Sequence, residues 1–333
     1  MAEAVTVQCG EVLNVTAGAT RTKGDVMMVP DGRGGVILQD QVSGQPVGTT
    51  VKEGEVYDFL KTALLVMLTG QEVYWDHSAN TVTYWATDDK DFFLGTVVRD
   101  AAGTDATVRV ALNQRASCVF NAGAAGAAGA ARTTLVMTTA QGAAAGGVLF
   151  NRVGGSHIVK YGTAAEAQKA DLISVRSVPV ASKWIWSAVF TVIADGDADV
   201  IDTVFGVADA SHDTNPDTIT TSAFFHLDMT GADLKIYAES DNAAAEVNAT
   251  DTTKVFAVGT PVHVMIDGRS GDGSALKYYV NGIRVLSGTA FTVAGAAGPL
   301  KALFLTEKSS NDSPGSVALD DMRLWLTDDA AFG

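Results

Sequence analysis

The chain of 333 residues carries a formal net charge of −15 at pH 7, and 47% of its residues are hydrophobic. This apolar fraction excludes an intrinsically disordered chain, and the acidic excess without clustered Lys and Arg excludes a nucleic-acid-binding surface. The longest apolar run, residues 63–68, is too short to cross a bilayer, so no membrane insertion is expected. The first residues lack the basic and apolar regions of a signal peptide, which predicts synthesis in a reducing cytoplasm. Cys9 and Cys118 lie far apart in sequence; free thiols are favoured, and a pairing between them stays open.

Residues 4–112 form a block of short strand patterns separated by glycine turns. Within it, residues 70–85, GQEVYWDHSANTVTYW, alternate apolar and polar side chains on both sides of the polar segment HSAN. This pattern predicts a β-hairpin in which Asp76 closes the turn through backbone amides. An Asp76–His77 pair could be half of a catalytic relay, but no nucleophile accompanies it. Residues 57–68, YDFLKTALLVML, fit helix or strand, and the flanking strand patterns favour strand.

Residues 121–131, NAGAAGAAGAA, have little side chain to bury and high backbone freedom. They predict a connection between two domains. We therefore expect one domain at residues 1–115, a Gly/Ala-rich arm or linker at 116–131, and a second domain at 132–333. One short helix is predicted at residues 164–172, AAEAQKADL.

From residue 132 onward, short runs of β-branched and aromatic residues are separated by Gly, Asp, Asn, Ser and Pro. Strands at this spacing are typical of a β-sandwich or jelly roll. The clearest local signal is YYVNGIRV, because Asn281 and Gly282 tolerate the positive φ angles of a type I′ turn between two strands. Both residues are predicted to be structural, and the whole chain is predicted to be all-β.

The segment DGDAD places Asp195, Asp197 and Asp199 at alternate positions, as many calcium loops do. The EF-hand pattern then requires glycine and glutamate where this chain has Val200 and Gly206. A solvated turn between strands is therefore favoured over a metal site. Calcium binding stays open, and no other cofactor is indicated.

A jelly-roll glycosidase needs two carboxylates on one face of a sheet. The nearest pattern is ESDNAAAE, with Glu239, Asp241 and Glu246, but the last glutamate comes too late, after a run of small residues. None of the five histidines has a second histidine or a cysteine at metal-ligand spacing, and His226 and His263 fit half-buried strand positions. No catalytic residue is predicted.

The first block contains TKGDVMMV, GTTVKEGEVYDF, GQEVYWDHSANTVTY and FLGTVVRDAAGTDATVRVAL in succession. In this order the segments resemble a family of small phage proteins, the head decoration or cement proteins. The resemblance covers residues 4–113; VYWD and VRVAL are its most specific parts, and Gln71-Glu72 replaces the usual Gly-Asp. It implies a small β-barrel that sits on the assembled shell, often as a trimer. On this analogy Trp75 and Asp76 are structural.

The second block contains PVHVMIDGRSGDGSALKYYVNGIRVLSG and closes with VALDDMRLWL. These segments resemble the last hairpins and the closing strand of concanavalin-like, laminin-G-type sandwiches. The resemblance spans residues 132–327 and implies a jelly-roll fold without implying a ligand.

These observations predict a bacteriophage capsid decoration protein without enzymatic activity. It would bind the outer surface of the major capsid shell, stabilise it and project a lectin-like domain outward. The expected partners are the major capsid protein and further copies of the chain in a homotrimer; glycans on the outer domain stay open. We expect the protein on the virion head after synthesis in the host bacterial cytoplasm. Two alternatives remain: a carbohydrate-binding adhesin or tail-fibre module, and a polysaccharide-degrading enzyme that uses Glu239 and Asp241.

Overall fold

A computed structural model gives the fold of two compact units, Met1–Ser117 and Cys118–Gly333. The described residues are 12–16, 18–116, 120–121, 135–141, 149–153, 156–161, 168–195, 201–211, 216–228, 234–296, 298–308 and 315–327. Cys9, Cys118 and most of the predicted arm at 116–131 lie outside them. Within the described ranges the helical element is a 3-10 turn, Pro216–Thr218, and no helix there is long and apolar enough to span a membrane.

The strands of the N-terminal unit are β1 (Val12–Thr16), β2 (Val26–Met28), β3 (Gly34–Ile37), β4 (Pro46–Thr50), β5 (Val56–Leu60), β6 (Glu72–Asp76), β7 (Thr81–Thr83), β8 (Phe92–Arg99) and β9 (Thr107–Leu112). They form a four-stranded antiparallel sheet, in the order β1-β4-β3-β2, and a five-stranded one, in the order β5-β9-β8-β6-β7. The two edge strands of the five-stranded sheet meet where Lys61 bridges Val82, and Thr62 N donates to Val82 O at 3.0 Å. The expected small barrel is therefore a curled five-stranded sheet whose edges touch at one point, accompanied by a separate four-stranded sheet.

The predicted hairpin at residues 70–85 is confirmed, with Trp75 opposite Val82 and Asp76 opposite Thr81. Alternation along β6 sends Val73 and Trp75 into the core. The same core contains Val26 of the four-stranded sheet, so both sheets of this unit share one apolar cluster. The strand predicted over residues 57–68 is present only as far as the end of β5, and a turn follows it.

An ion pair between a buried carboxylate and an exposed guanidinium holds the last described residues of the N-terminal unit. Arg115 Nη1 donates to Glu72 Oε2 at 2.8 Å, and Ala116 N donates to Glu72 Oε1 at 3.2 Å. The Glu72 side chain is only 4% exposed, and the Arg115 guanidinium lies 3.7 Å from the centre of the Phe93 ring. Residues 115–116 follow β9 in the chain, and these contacts also attach them to β6 and β8.

The strands of the C-terminal unit are β10 (Phe120–Asn121), β11 (Leu135–Gln141), β12 (Leu149–Val153), β13 (Ser156–Lys160), β14 (Gln168–Val178), β15 (Trp184–Ala194), β16 (Ile201–Ala208), β17 (Thr221–Asp228), β18 (Leu234–Asn242), β19 (Glu246–Phe256), β20 (Val262–Gly268), β21 (Lys277–Val280), β22 (Ile283–Val285), β23 (Leu300–Lys308) and β24 (Ser316–Leu326). An eight-stranded sheet has the order β12-β13-β24-β15-β20-β21-β22, with β10 also paired to β24. A seven-stranded sheet has the order β11-β14-β23-β16-β17-β18-β19.

Alternate residues of both sheets of this unit enter one core, as in a β-sandwich. Trp184 and Trp186 of β15 are fully buried, and Phe190 of β15 stacks on Phe205 of β16 with ring centres 4.6 Å apart. That stack joins the eight-stranded sheet to the seven-stranded one. The prediction of an all-β chain with a C-terminal sandwich is confirmed.

The helix predicted at residues 164–172 is wrong over 168–172, where β14 begins; the preceding residues lie outside the described ranges. Strand β14 pairs with β11 on one side and with β23 on the other, and Ala170 and Leu172 face the core. Pairing on both edges and burial of one face outweigh the helix preference of the Ala, Glu, Gln and Lys residues.

Candidate functional sites

The Trp75–Asp76 hairpin ends in a turn built on one carboxylate. Asp76 Oδ1 accepts from Ser78 N at 2.9 Å, from Ser78 Oγ at 2.7 Å and from Ala79 N at 2.8 Å. Asn80 completes the turn with a φ of 55°, and its N–H donates to the Asp76 carbonyl at 2.9 Å. Burial alone would raise the pKa of Asp76, but these hydrogen bonds outweigh it and lower the pKa. Asp76 thus occupies the place of a turn-closing residue, and its hydrogen bonds organise the backbone.

Trp75 also lines a cleft on the N-terminal unit, which we call the seam cleft. The cleft has a volume of about 500 Å³ and lies where β5, the β6–β7 turn and the segment before β2 meet; its lining includes Arg21, Asp25, Phe59, Leu60, Trp75 and Asn80. Trp75 is 6% exposed, and its indole Nε1 is buried without an acceptor in the described part of the chain. Sequence reasoning assigned Trp75 a structural role and did not predict this cleft, because its lining comes from segments up to about sixty residues apart.

A second cluster lies on the face of the seven-stranded sheet that points away from the sandwich core. His226 of β17 forms an ion pair through Nε2 with Asp202 of β16, and its Nδ1 lies 3.7 Å from Glu239 Oε2 of β18. Burial alone would lower the pKa of His226, but the hydrogen bonds and charges of the two carboxylates outweigh it and raise the pKa to about 10. His226 is therefore a cation at neutral pH, held between two anions.

The carboxylates of the glycosidase alternative lie close together in the structure. Glu239, Asp241 and Glu246 line one small cavity of about 20 Å³ beside Pro216 and Ile219. A cavity of this size has room for about one water molecule, whereas a sugar ring needs several times more. Asp241 Oδ1 accepts from Ala243 N at 2.7 Å, and Glu239 faces His226. Two of the three carboxylates thus have internal partners.

Asn281 and Gly282 have φ angles of 49° and 71° between β21 and β22, where Val280 pairs with Ile283. The predicted type I′ turn is confirmed. Asn281 also joins the turn to β20, since its N–H donates to His263 O at 2.7 Å and its Oδ1 accepts from His263 N at 2.9 Å. His263 itself is buried more deeply than the half-buried position that the sequence predicts.

The proposed calcium loop can be located only at its first residue. Asp195 directly follows β15 and is partly buried, whereas Asp197 and Asp199 lie outside the described residues. Across the described ranges, no three His, Cys, Asp or Glu side chains converge as metal ligands.

The N-terminal unit is therefore an all-β module with a shared core, ordered turns and at least two clefts, of about 500 and 440 Å³. Binding modules and structural modules both belong to this class. The sequence of the unit identifies it further: residues 7–112 match the family model for the phage cement protein family. The match spans most of this unit and less than half of the chain, and it confirms the resemblance predicted for residues 4–113. Residues 7–112 are therefore similar to phage cement proteins.

No curated protein matches the chain. Among solved structures, the carbohydrate recognition domain of Emp47p is 12% identical and covers 58% of this chain and 91% of its own, with a TM-score of 0.41. A carbohydrate esterase from the Shiga toxin-encoding bacteriophage phi24B is 11% identical and covers 64% of this chain and 99% of its own, with a TM-score of 0.38. An alginate lyase from Pseudomonas aeruginosa is 10% identical over 54% of this chain and 86% of its own, with a TM-score of 0.38. Similarity this weak assigns neither a ligand nor a reaction to the chain.

Proposed function

We propose that the chain is a capsid decoration protein whose N-terminal unit binds the outer surface of the phage head and stabilises it. The observation that carries the proposal is the match of residues 7–112 to the phage cement protein family. A shell is held by many weak lateral contacts, and a module that bridges neighbouring subunits adds buried area at each junction.

The surface of the N-terminal unit supports this proposal. Leu60 and Leu64 are 60% and 67% exposed, although both are large apolar side chains. Leu64 also has a φ of 67°, a backbone conformation that is strained for a residue with a Cβ. Leu60 at the end of β5 and Leu64 on the strained loop that follows are apolar area that association with a shell would bury.

We further propose that the protein acts without enzymatic chemistry. The carboxylates that a glycosidase would need surround a cavity of about 20 Å³, and Glu239 and Asp241 are engaged with neighbouring groups of the same sheet. This candidate set of carboxylates therefore does not flank a sugar-sized space, which supports the proposal.

The proposed assembly is a homotrimer on the head, with the C-terminal sandwich projecting outward. The trimer rests on the family resemblance, and three-fold or quasi-three-fold junctions of a shell would give each copy an equivalent binding surface. A domain of about 110 residues also buries only about two-thirds of its unfolded surface, so association adds apolar burial.

The test uses heads of the encoding phage that lack this protein, mixed with the purified full chain. We expect the chain to co-sediment with heads, to raise the temperature at which they release DNA, and to appear as three-fold density on the outer surface. Co-sedimentation with isolated tails instead of heads would favour the adhesin alternative. Release of reducing ends from a polysaccharide by the wild type, abolished by Glu239→Gln with Asp241→Asn, would favour the enzyme alternative.

A further inference from the structure

The seam cleft lies where two sheet edges of the N-terminal unit diverge. Strands β5 and β7 are the two edge strands of the five-stranded sheet. A single bridge, between Lys61 and Val82, connects them. Beyond that bridge, Leu60 and the β6–β7 turn border a cleft of about 500 Å³, closed on its other side by residues before and within β2. A cleft of this volume accommodates several side chains, and unpaired edge strands offer backbone groups to an extended segment.

Two hydrogen-bond donors at this cleft lack an acceptor in the part of the chain that the structure describes. One is Nε1 of Trp75, whose side chain is only 6% exposed. The other is Nε of Arg21. Buried polar groups in folded proteins are nearly always hydrogen-bonded, because leaving one unmade costs free energy. Two such donors, on residues that line one cleft, leave hydrogen bonds that a bound partner would complete.

The two carboxylates that line the cleft have partners within the N-terminal unit. Asp58 forms a two-pronged pair with Arg109, with both N–O distances at 2.9 Å. Asp25 Oδ2 accepts from Thr22 N at 2.9 Å. The guanidinium of Arg21, by contrast, forms no ion pair among the described residues, so the cleft has an uncompensated donor group that suits a carboxylate.

We propose that the seam cleft binds an extended segment of the capsid protein that places a carboxylate side chain against Trp75 Nε1 and Arg21 and an apolar side chain against Leu60. This inference rests on the proposed function and identifies the surface that performs it. Arg21 fixes the carboxylate, the exposed Leu60 gives the segment an apolar contact, and the outer edge of β5 favours an extended backbone.

Binding of full-length variants to heads that lack the protein tests the proposal. Arg21→Gln removes the charge, and replacement of Trp75 by its isostere 3-benzothienylalanine removes the indole N–H while keeping ring shape and packing. Each should weaken head binding about tenfold or more, the usual effect of losing a charge-assisted hydrogen bond at an interface. Arg33→Gln and Trp85→Phe are matched controls, because Arg33 pairs with Asp31 and Trp85 packs on Tyr74. Both controls should bind within about twofold of the wild type.

The outcomes distinguish a failure of the seam cleft as the binding site from a failure of the decoration function. If the wild-type chain binds heads and both cleft variants bind equally well, the seam cleft is overturned while the decoration function stands. If the wild-type chain does not bind heads, the proposed function falls and the cleft assignment with it. Melting curves of the variants identify any loss of binding that comes from unfolding, and the isosteric replacement of Trp75 keeps the ring shape that the core requires.

Crosslinking identifies the occupant directly. A photoreactive p-benzoylphenylalanine at position 60, in the full chain bound to heads, should crosslink to the major capsid protein. Peptide mass spectrometry should find an Asp or Glu within a few residues of the crosslinked position. A crosslink to a second copy of this chain, or to a capsid segment without a carboxylate, would overturn the proposed occupant.

Discussion

The seam cleft and the His226 cluster place polar groups in partly buried sites of the two units, but they differ in what those groups contact. At the cleft, Trp75 Nε1 and Arg21 Nε have no acceptor among the described residues. At the cluster, the imidazole of His226 lies between two carboxylates of its own sheet. Opposite charges that compensate each other within the fold contribute to its stability, whereas we propose that the donors at the cleft bind a partner. Mutations should therefore affect unfolding at the cluster and association at the cleft.

The largest expected effect comes from Gly206, on the same sheet face as the His226 cluster. A Cβ at this position would overlap the carbonyl oxygen of Ala223 on β17, so the two strands would have to separate. We expect Gly206→Ala to lower the free energy of unfolding of the C-terminal unit by about 3 kcal/mol or more. Denaturant melts measure this loss. As a control, Gly48→Ala should change the free energy of unfolding of the N-terminal unit by less than about 0.5 kcal/mol, because the nearest atom to its added Cβ is Val12 Cγ1 at 3.8 Å.

The next effect is that of His226→Asn, which removes the cation and leaves two carboxylates facing each other. We expect a loss of about 2 kcal/mol in the stability of the C-terminal unit, below the cost of a fully buried pair because Asp202 is 31% exposed. Head binding should be unchanged. Weaker head binding by a folded His226→Asn variant would contradict the expectation that the His226 cluster affects stability and not association.

The same cluster should make stability depend on pH in a defined window. The pKa of His226 is about 10 in the fold, against 6.5 for the unperturbed side chain. Its contribution is therefore complete below about pH 6.5 and is lost as pH rises through about 10. Urea melts at pH 6, 8 and 10 should show a decline in the wild type that is smaller in His226→Asn. Parallel declines in both would show that another group titrates.

A smaller effect is expected at the Asn281–Gly282 turn. Gly282→Val places a β-branched residue at a φ of 71°, at a cost of about 1–2 kcal/mol in the stability of the C-terminal unit. Thermal unfolding of the two proteins measures the difference. Gly288→Val is a matched control in open space, with no atom within 4 Å of an added Cβ. An unchanged melting temperature in Gly282→Val would contradict the turn assignment.

The smallest effect on folding should come from the cleft itself. Arg21→Gln should change the free energy of unfolding by less than about 0.5 kcal/mol, because its guanidinium forms no ion pair in the described part of the N-terminal unit. Calorimetry checks this value. A loss above about 1 kcal/mol would show that Arg21 stabilises the fold, and it would contradict the expectation that the cleft affects association only.

The features that could be predicted from sequence are those specified locally. The Asn281–Gly282 turn and the hairpin closed by Asp76 depend on residues within a few positions of one another, so their side chains and φ preferences are sufficient. The wrong helix over residues 168–172 shows the limit, because pairing of β14 with strands far along the chain decides its conformation.

The His226 cluster and the seam cleft could not be predicted from local sequence patterns, because each is formed by residues far apart in the chain. Asp202, His226 and Glu239 become neighbours only through the register of β16, β17 and β18. The sequence places His226 on a strand but does not specify which residues oppose it. The seam cleft depends in the same way on where β5 and β7 stop pairing, and no local pattern encodes an absent acceptor.

The attachment of Arg115 to Glu72 has a mechanical consequence. A force that pulls on the chain after residue 116 reaches Arg115 and the backbone N–H of Ala116 before it can peel β9 from its sheet. Because Glu72 belongs to β6, which pairs with β7 and β8, that load is distributed over three strands. We therefore expect the N-terminal unit to resist a force that is applied through the chain after residue 116.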